Sequence, residues 1–382
     1  MPMSNLRYCA ANAAALASLF CMLAGGAWTW LCFPLAALPN SLGDEFFGED
    51  LSGPQAGDQP CLDAQLVLAL PLMALNTLVF ACYFTSGDPL GVVALLQVCG
   101  VDFDAARAST GAPGYVSMIM GMGGFTGAAM TVAHELIHRT TRPGLVQVGR
   151  WLSAFCWESA FNLQHMVGHH MNAGFYEDSG TARRGENIYE FVVRASVYNN
   201  LTAIRSESDR LRRRNIPFFS IRNQFLTGQA MTLAIAAVYM AIAGWLGLAV
   251  FFIVHLQGRF YLEGAAYLEH YGLVRVPGTR FEPRHAWDTY RALSCALLFN
   301  LQRHSDHHQN ATRPFYQLSV QKDAPRLPAG YLSLLPLAMV PPLWFAFMRP
   351  RLEAWDRERA TPQELSYLAE HSAQGIFPVA AE

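Results

Sequence analysis

Charged side chains are scarce in this chain. Asp, Glu, Lys and Arg make up 15% of its 382 residues, whereas soluble domains contain about 25%. Hydrophobic residues make up 52% of the sequence. Because water-soluble folds need more charge than this on their surface, the composition predicts an integral membrane protein.

The chain also lacks the motifs of the common redox cofactors. Its eight cysteines are scattered and include no C-x-x-C pair, which argues against iron–sulfur and rubredoxin-like sites. The glycine-rich stretch that ends in Gly123-Gly124 lacks the spacing of a dinucleotide fingerprint. We therefore expect no flavin, haem or iron–sulfur cluster in this chain.

The positive charges are unevenly spread. Of the 27 Lys and Arg residues, 12 lie in residues 139–222 and 8 in residues 275–326. Basic regions between apolar segments mark the cytoplasmic side of a membrane protein. They alternate here with apolar helices and contain many acids, so nucleic acid is not favoured as a partner.

Apolar stretches of about 20 residues, the length that crosses a bilayer, recur along the chain. We predict a single-domain, all-α membrane protein over residues 1–382, with residues 135–226 and 271–382 on the cytoplasmic face. A hairpin at Gly25-Gly26 and a break near Gly244 to Gly247 give six spans; without the hairpin there are five. The six predicted spans are residues 8–24, 27–43, 64–86, 112–134, 227–247 and 249–270.

Nine of the 12 histidines fall into four short boxes at the ends of these spans or beyond them. They are His134, His138, His165, His169, His170, His270, His304, His307 and His308. Imidazole is the commonest metal ligand, and nine exceed what one ion coordinates. Histidines four residues apart share one helix face. We therefore predict that each pair with this spacing chelates a single ion. Six spans starting in the cytoplasm bring all four boxes to that side.

The first box also matches the H-E-x-x-H motif of zinc proteases, in which Glu135 would be the general base. Such a site needs two histidines, one further ligand and a water, and it leaves six or seven histidines without a role. Neutral imidazoles also suit iron. A pair of redox metals explains the boxes better, and an intramembrane zinc protease is the alternative from another class. A metal transporter is less favoured, since the histidines cluster at helix ends.

Two motifs carry a resemblance to a known family. Leu301-Gln302-Arg303-His304-Ser305-Asp306-His307-His308 and Tyr267-Leu268-Glu269-His270-Tyr271-Gly272-Leu273 are similar to motifs of the membrane di-iron hydroxylases related to the fatty-acid desaturases. Within that family the chain resembles the alkane hydroxylase and xylene monooxygenase group. It departs from the alkane-hydroxylase pattern at Gln164, Met166 and Ala266. The tail from Pro341 to Pro362 is closer to the xylene and p-cymene methyl hydroxylases.

The resemblance implies O2-dependent hydroxylation of a terminal or benzylic methyl group, in an alkane or an alkyl-aromatic such as xylene or p-cymene. A fatty-acid-type desaturase is the nearest alternative. Two iron ions held by the nine histidines are implied, with O2 as cosubstrate. Three carboxylates adjoin ligands and are candidates to orient imidazole N–H groups: Glu135, Glu269 and Asp306. Candidates for an apolar substrate path, each also explicable as ordinary lipid or helix contact, are Trp28, Trp30, Phe33, Phe80, Phe84 and Met118.

The electrons for this reaction have no source within the chain. We expect a soluble partner, either rubredoxin or a ferredoxin-type NADH reductase, to dock on the cytoplasmic face near Arg210 to Arg214. Contact with lipid headgroups is an equally good explanation of that basic run. The expected location is the bacterial inner membrane.

Overall fold

The computed structural model describes residues 3–41, 44–53 and 59–372. Within these ranges the regular structure is helical, and the only β pairing is in two isolated bridges. The all-α prediction is confirmed for this part of the chain. The first ten α-helices are α1 (Ala10–Ala24), α2 (Cys32–Ser41), α3 (Asp44–Phe47), α4 (Gln59–Cys82), α5 (Val92–Val98), α6 (Phe103–Ala108), α7 (Ala112–Ile137), α8 (Pro143–Ala154), α9 (Phe161–Gln164) and α10 (His170–Asn172).

The remaining helices continue from the long basic segment to the tail. They are α11 (Ile188–Arg213), α12 (Gln224–His270), α13 (Ala292–Leu297), α14 (His304–Gln309), α15 (Tyr331–Ala338), α16 (Pro341–Glu358) and α17 (Pro362–Ser372). A π-helix spans His165–His169. Short 3-10 helices lie at Met3–Cys9, Gly26–Leu31, Pro283–His285 and Phe315–Gln317.

Four helical stretches in the described ranges are long and apolar enough to cross a membrane. They are Asn5–Ala24, Gln59–Cys82, Ala112–Ile137 and Gln224–His270. Large apolar side chains stand on their outer surfaces; Trp245, for example, is 77% exposed. An apolar outer surface on helices of this length suits lipid and not water. The protein is therefore an integral membrane protein.

The longest of these stretches, α12, consists of two helices folded against each other. Ala243 and Gly244 have non-helical backbone angles, and Gly244 has a φ of 59°, which favours glycine. The ring of Tyr239 lies 5.7 Å from that of Phe251 and 5.8 Å from that of His255. The chain thus reverses direction at the break that the sequence predicted.

The N-terminal stretch also turns where its sequence predicts. Gly25 adopts a φ of 69°, and the Cys32 Sγ atom returns to 3.9 Å from the Ser18 carbonyl oxygen. The second arm of this hairpin was predicted as one span over residues 27–43. It is instead a 3-10 helix followed by the ten-residue helix α2, and residues 42 and 43 lie outside the described ranges. The number of spans stays a prediction.

Helix α7 is the centre of the membrane part and packs against α2, α4, α8 and α12. Its Gly123 and Gly127 face α12. A Cβ atom at Gly123 would lie 2.1 Å from Gln257 Oε1, and one at Gly127 would lie 2.6 Å from Tyr261 Cβ. The Gly-x-x-x-Gly spacing therefore lets α7 and α12 approach each other closely.

The polar end of the molecule has its own core. Helices α11, α15 and α16 pack with the end of α12 around Tyr267, Tyr331 and Trp344. The apolar segment of residues 331–347 forms α15 and the start of α16. Helix α7 extends three residues beyond the predicted span end at His134. Most of the first histidine box therefore lies on regular helix.

The contact between α7 and α12 can be tested through Gly127. We expect Gly127→Ala to lower the free energy of unfolding by about 1–3 kcal/mol, because the added methyl group forces the two helices apart. Gly144→Ala is the matched control, since a Cβ atom at Gly144 meets nothing within 4 Å. Thermal unfolding of the purified protein in detergent measures both. Equal stability of the two variants would contradict this account of the packing.

Candidate metal centre

The structure brings all nine box histidines together in two neighbouring groups. The five-histidine group is His134, His138, His165, His170 and His307, and the four-histidine group is His169, His270, His304 and His308. Within each group the candidate ligand atoms all lie within 4.8 Å of one another. The groups adjoin where the rings of His170 and His308 are 4.5 Å apart. The four boxes thus converge on one place, as the sequence predicted.

The second and last boxes are each divided between the two groups. In the second box the chain forms a π-helix, whose wider turn brings residue i+5 over residue i. His165 and His170 therefore meet, with their Nε2 atoms 3.0 Å apart, while His169 turns to the other group. The expectation that His165 and His169 chelate one ion was wrong for this reason. The i, i+4 pairing holds in the other two boxes.

The spacing of the ring nitrogens fits metal binding. His170 Nε2 lies 3.2 Å from the Nε2 atoms of His138 and His307. In the other group, His304 Nε2 lies 3.1 Å from His270 Nε2 and 3.0 Å from His308 Nε2. Two nitrogens bound to one ion at about 2.1 Å each are about 3 Å apart when they meet at a right angle. Each group therefore has the dimensions of a ligand set.

The rings are also in the protonation state that a metal needs. Burial, together with repulsion from neighbouring imidazoles, lowers the pKa well below the usual 6.5 at His165, His170, His304, His307 and His308. A neutral imidazole keeps one nitrogen lone pair free to bind an ion. These histidines are consequently ligands ready for a cation and not cations themselves.

Two imidazoles of the four-histidine group are oriented through their second nitrogen. His169 Nδ1 donates a hydrogen bond to Asp178 Oδ2 at 2.9 Å. His270 Nδ1 donates to the carbonyl oxygen of His285 at 3.0 Å. Burial by itself would raise the pKa of Asp178, but His169 lowers it, so the acceptor is a carboxylate. Such bonds leave Nε2 for the ion and fix the plane of the ring.

Neither orienting partner was predicted. Asp178 lies outside all four boxes, and a backbone carbonyl leaves no signature in a sequence. Gly180 belongs to the same loop and packs directly on the ligand, since a Cβ atom there would lie 2.6 Å from His169 Nδ1. An Asp followed by Gly two residues later, shortly after a histidine box, is a weak signal that could have been noticed.

The three carboxylates that were predicted to orient imidazoles differ in their contacts. Glu135 Oε1 accepts two hydrogen bonds from Arg139, at 2.6 and 2.9 Å. The Asp306 carboxylate accepts from Arg313 at 2.8 Å, among other donors. Glu269 alone approaches a ligand ring, with Oε2 3.4 Å from His304 Nε2. The hydrogen bonds of the other two fix the local backbone and not a ligand.

The last box is held in place by buried polar groups from distant parts of the chain. Asp288 caps helix α14 by accepting hydrogen bonds from the Ser305 backbone N–H at 2.9 Å and from its hydroxyl at 2.6 Å. Arg303, which is 1% exposed, donates to Asp50 Oδ2 at 3.0 Å. These bonds fix the direction in which α14 presents its three histidines.

A cavity of about 280 Å³ opens on both histidine groups. His134 and His165 contribute to its wall from one group, and His169 and His304 from the other. The rest of the wall is largely apolar and comes from α2, α7, α12 and α15. Apolar lining residues include Phe33, Ala128, Met130, Leu262, Leu335 and Met339. An apolar molecule in this cavity would lie against the metal ligands.

The residues expected on a substrate path have different positions. Phe33 lines the cavity. Trp28 and Trp30 stand on the outer surface, 62% and 54% exposed, as ordinary lipid contacts would. Phe80, Phe84 and Met118 pack in the membrane core. Of the six candidates, one therefore belongs to the cavity wall.

Two of the three departures from the alkane-hydroxylase motifs lie in this same wall. Gln164 and Ala266 both line the cavity. Met166 instead faces a neighbouring groove that also contains Arg210 and Arg214. A molecule bound in the cavity would therefore contact Gln164 and Ala266, two of the three positions at which the motifs deviate.

Comparisons with known proteins agree on one family. The family model described as fatty acid desaturase matches residues 110–338. Alkane 1-monooxygenase 1 of Pseudomonas aeruginosa is 37% identical over 63% of this chain and 65% of its own length. Alkane 1-monooxygenase 2 of the same organism is 32% identical over 86% of this chain and 85% of its own length. The xylene/toluene monooxygenase hydroxylase component XylM of Pseudomonas putida is 30% identical over 95% of this chain and 93% of its own length.

The carboxylate of Asp178 provides a test of the four-histidine group. We expect Asp178→Asn to weaken metal binding roughly tenfold or more, because a neutral amide orients and polarises His169 less well than a carboxylate. Asp306→Asn is the control, since Asp306 lies between two ligands but bonds to Arg313. Titration of the metal-free proteins with Fe(II) under anaerobic conditions gives both affinities. If Asp306→Asn lost more Fe(II) affinity than Asp178→Asn, then Asp306 and not Asp178 would be the carboxylate that supports a metal ligand.

Proposed function

Since the chain belongs to the fatty acid desaturase family, and within it to the alkane and xylene monooxygenases, we propose that it hydroxylates a methyl group of a hydrophobic hydrocarbon with O2. The methyl group is terminal or benzylic, and the product is the primary alcohol. The observation that carries this proposal is the apolar cavity that opens on two adjacent histidine groups. A cavity of this kind brings an unactivated C–H bond next to metal ligands.

Each histidine group is proposed to hold one iron ion. When bound, the iron pair supplies the activation of O2 and the cleavage of the C–H bond, for which no side chain here is strong enough. The nine imidazoles bind the metals as neutral ligands. Asp178 and the carbonyl of His285 hold two of the rings in position, and the apolar wall excludes water from the reacting carbon.

The substrate class follows from the cavity wall and from the relatives. An apolar lining favours a molecule without charge, which dissolves in the bilayer. The relatives are named for alkane oxidation and for xylene and toluene oxidation, and both classes offer a methyl group. Gln164 and Ala266 distinguish this wall from the usual alkane-hydroxylase motifs, so we include alkyl-aromatics such as xylene and p-cymene beside linear alkanes.

The geometry disfavours a zinc protease. Such an enzyme would use Glu135 as its base, but the Glu135 carboxylate is engaged by Arg139. A catalytic zinc ion takes three protein ligands and a water, whereas five histidines share the group that contains the first box. The division of nine histidines into two sets is better matched to two redox metals.

We further propose six spans, with residues 135–226 and 271–382 on the cytoplasmic side of a bacterial inner membrane. The reversal at Gly244 supports this topology, because it lets the ends of α7 and α12 meet on one side. Residues 373–382 of the second segment lie outside the described ranges.

Electrons are proposed to come from a rubredoxin or a ferredoxin-type NADH reductase. The groove behind the second box is lined by Arg150, Arg210, Arg214 and Arg222 together with Met166. Its positive charge suits an acidic redox protein. Met166 follows the ligand His165 directly, so a partner in this groove would be close to the five-histidine group.

Metal analysis and one ligand variant test the proposed centre. Purified protein should contain about two irons per chain, one for each histidine group. His307→Ala should insert in the membrane at the normal level and lose hydroxylation of octane, xylene and p-cymene when a reductase is supplied. Alcohols are identified by gas chromatography of whole cells. One zinc and no iron, or full activity of the variant, would refute the assignment.

Ala266 tests the cavity as the substrate site. We expect Ala266→Leu to lower the ratio of xylene to octane hydroxylation about tenfold or more, because the larger side chain excludes a ring before it excludes a narrow chain. Ala237→Leu is the control, since Ala237 lies exposed on the first arm of α12, before the reversal, and does not line the cavity. Competition between the two hydrocarbons in one assay gives the ratio. An unchanged ratio of xylene to octane hydroxylation would show that the cavity is not the substrate site.

A further inference from the structure

The four-histidine group is covered by one short segment, residues 281–287. The ring of Phe281 stacks on that of His308, with centroids 4.7 Å apart and planes inclined by 23°. At the other end, the backbone N–H of Trp287 donates to the Glu269 carbonyl oxygen at 2.8 Å. Between them lies the His285 carbonyl that accepts the hydrogen bond from His270. This segment therefore contacts two of the four ligands directly.

The ring of His285 has a single hydrogen-bonding arrangement. Its Nδ1 atom accepts a hydrogen bond from the Glu282 backbone N–H at 2.9 Å, so the ring proton is on Nε2. That nitrogen donates to Glu364 Oε1 at 2.7 Å. Because His285 is 0% exposed, no water can replace Glu364 as the acceptor of the hydrogen bond from its ring. His285 thus links Glu364, which accepts a hydrogen bond from its ring, to His270, which donates one to its carbonyl oxygen.

Glu364 belongs to helix α17 near the end of the described chain. Arg284 donates to it at 3.1 and 3.3 Å, and the Thr361 backbone N–H donates at 2.8 Å. Burial by itself would raise the pKa of Glu364, but the hydrogen bonds from His285, Thr361 and Arg284 lower it to about 2. The carboxylate is therefore ionised, and both of its oxygens accept hydrogen bonds from these three donors.

We propose that Glu364 is a positioning residue for the metal ligand His270 and acts through His285. No direct contact is needed, because the carboxylate fixes the imidazole of His285 and thereby the carbonyl that orients His270. Removal of the acceptor leaves a buried N–H without a partner, which favours displacement of the segment 281–287. His270 then loses its orienting hydrogen bond and holds its ion less firmly. In the part of the chain that the structure describes, no hydrogen bond or ring contact joins the five-histidine group to this segment.

This inference rests on the proposed two-iron centre, and the test separates the two. Full-length Glu364→Leu and Glu364→Gln proteins are loaded with ⁵⁷Fe(II) and examined by metal analysis and Mössbauer spectroscopy. Tyr367→Phe is the matched control, since it removes two hydrogen bonds of the same helix: the one that the hydroxyl accepts from the Tyr176 backbone N–H and the one that it donates to the Glu177 carboxylate. Iron release to a chelator is followed in each protein.

We expect Glu364→Leu to release one of its two irons roughly tenfold faster than the parent protein and to change one Mössbauer doublet only. Glu364→Gln keeps an acceptor oxygen and should restore most of the parent behaviour, and Tyr367→Phe should match the parent. If the parent binds two irons and Glu364→Leu releases both at the parent rates with an unchanged spectrum, the positioning role is refuted. Equal acceleration at both irons, or the same change in Tyr367→Phe, makes Glu364 a general stabiliser and also refutes it. A parent protein without two irons refutes the proposed function instead.

Discussion

Nine imidazoles in a membrane protein, eight of them buried and His170 half-buried, have to be satisfied, and this constraint organises the fold. A buried polar atom without a partner costs free energy, and here the ring nitrogens of both groups converge in pairs 3.0–3.2 Å apart. A cation satisfies several lone pairs at one point. The glycines of α7, the reversal of α12 at Gly244 and the caps on α14 all serve to bring four chain segments to that point.

The sequence was a good guide to the metal centre and a weaker guide to its surroundings. Box spacing and the count of histidines predicted which side chains would converge, and composition predicted the membrane. The π-helix over residues 165–169 could not be foreseen, because i, i+4 and i+5 spacings coexist in the second box and only tertiary packing selects between them. Asp178 and the carbonyl of His285 act from outside the boxes; the Asp-x-Gly sequence after the second box is only a weak signal for Asp178, and a backbone carbonyl leaves no signal at all. Asp306 was predicted from adjacency in sequence, which does not determine where a side chain points.

The two histidine groups are not equivalent, and the difference has a chemical consequence. The four-histidine group has the Asp178 carboxylate behind His169, whereas the carboxylate within the first box, Glu135, is paired with Arg139. Negative charge close to a metal stabilises its more oxidised state. An ion in the four-histidine group would therefore be the easier one to oxidise, and an ion in the five-histidine group the more completely ligated.

The cavity would let the proposed metal centre act on hydrocarbons of different shape. The ligand histidines form only one side of it, and their positions are fixed by buried hydrogen bonds that a change of substrate does not involve. The opposite side consists of α2, α7, α12 and α15, where Ala266 and Leu335 face the interior without polar bonds. Substitutions on that side alter shape without disturbing a ligand. For the proposed hydroxylation, selectivity can therefore change through the wall while the chemistry stays with the histidines. Ala266, where this chain departs from the alkane-hydroxylase pattern, lies on that wall.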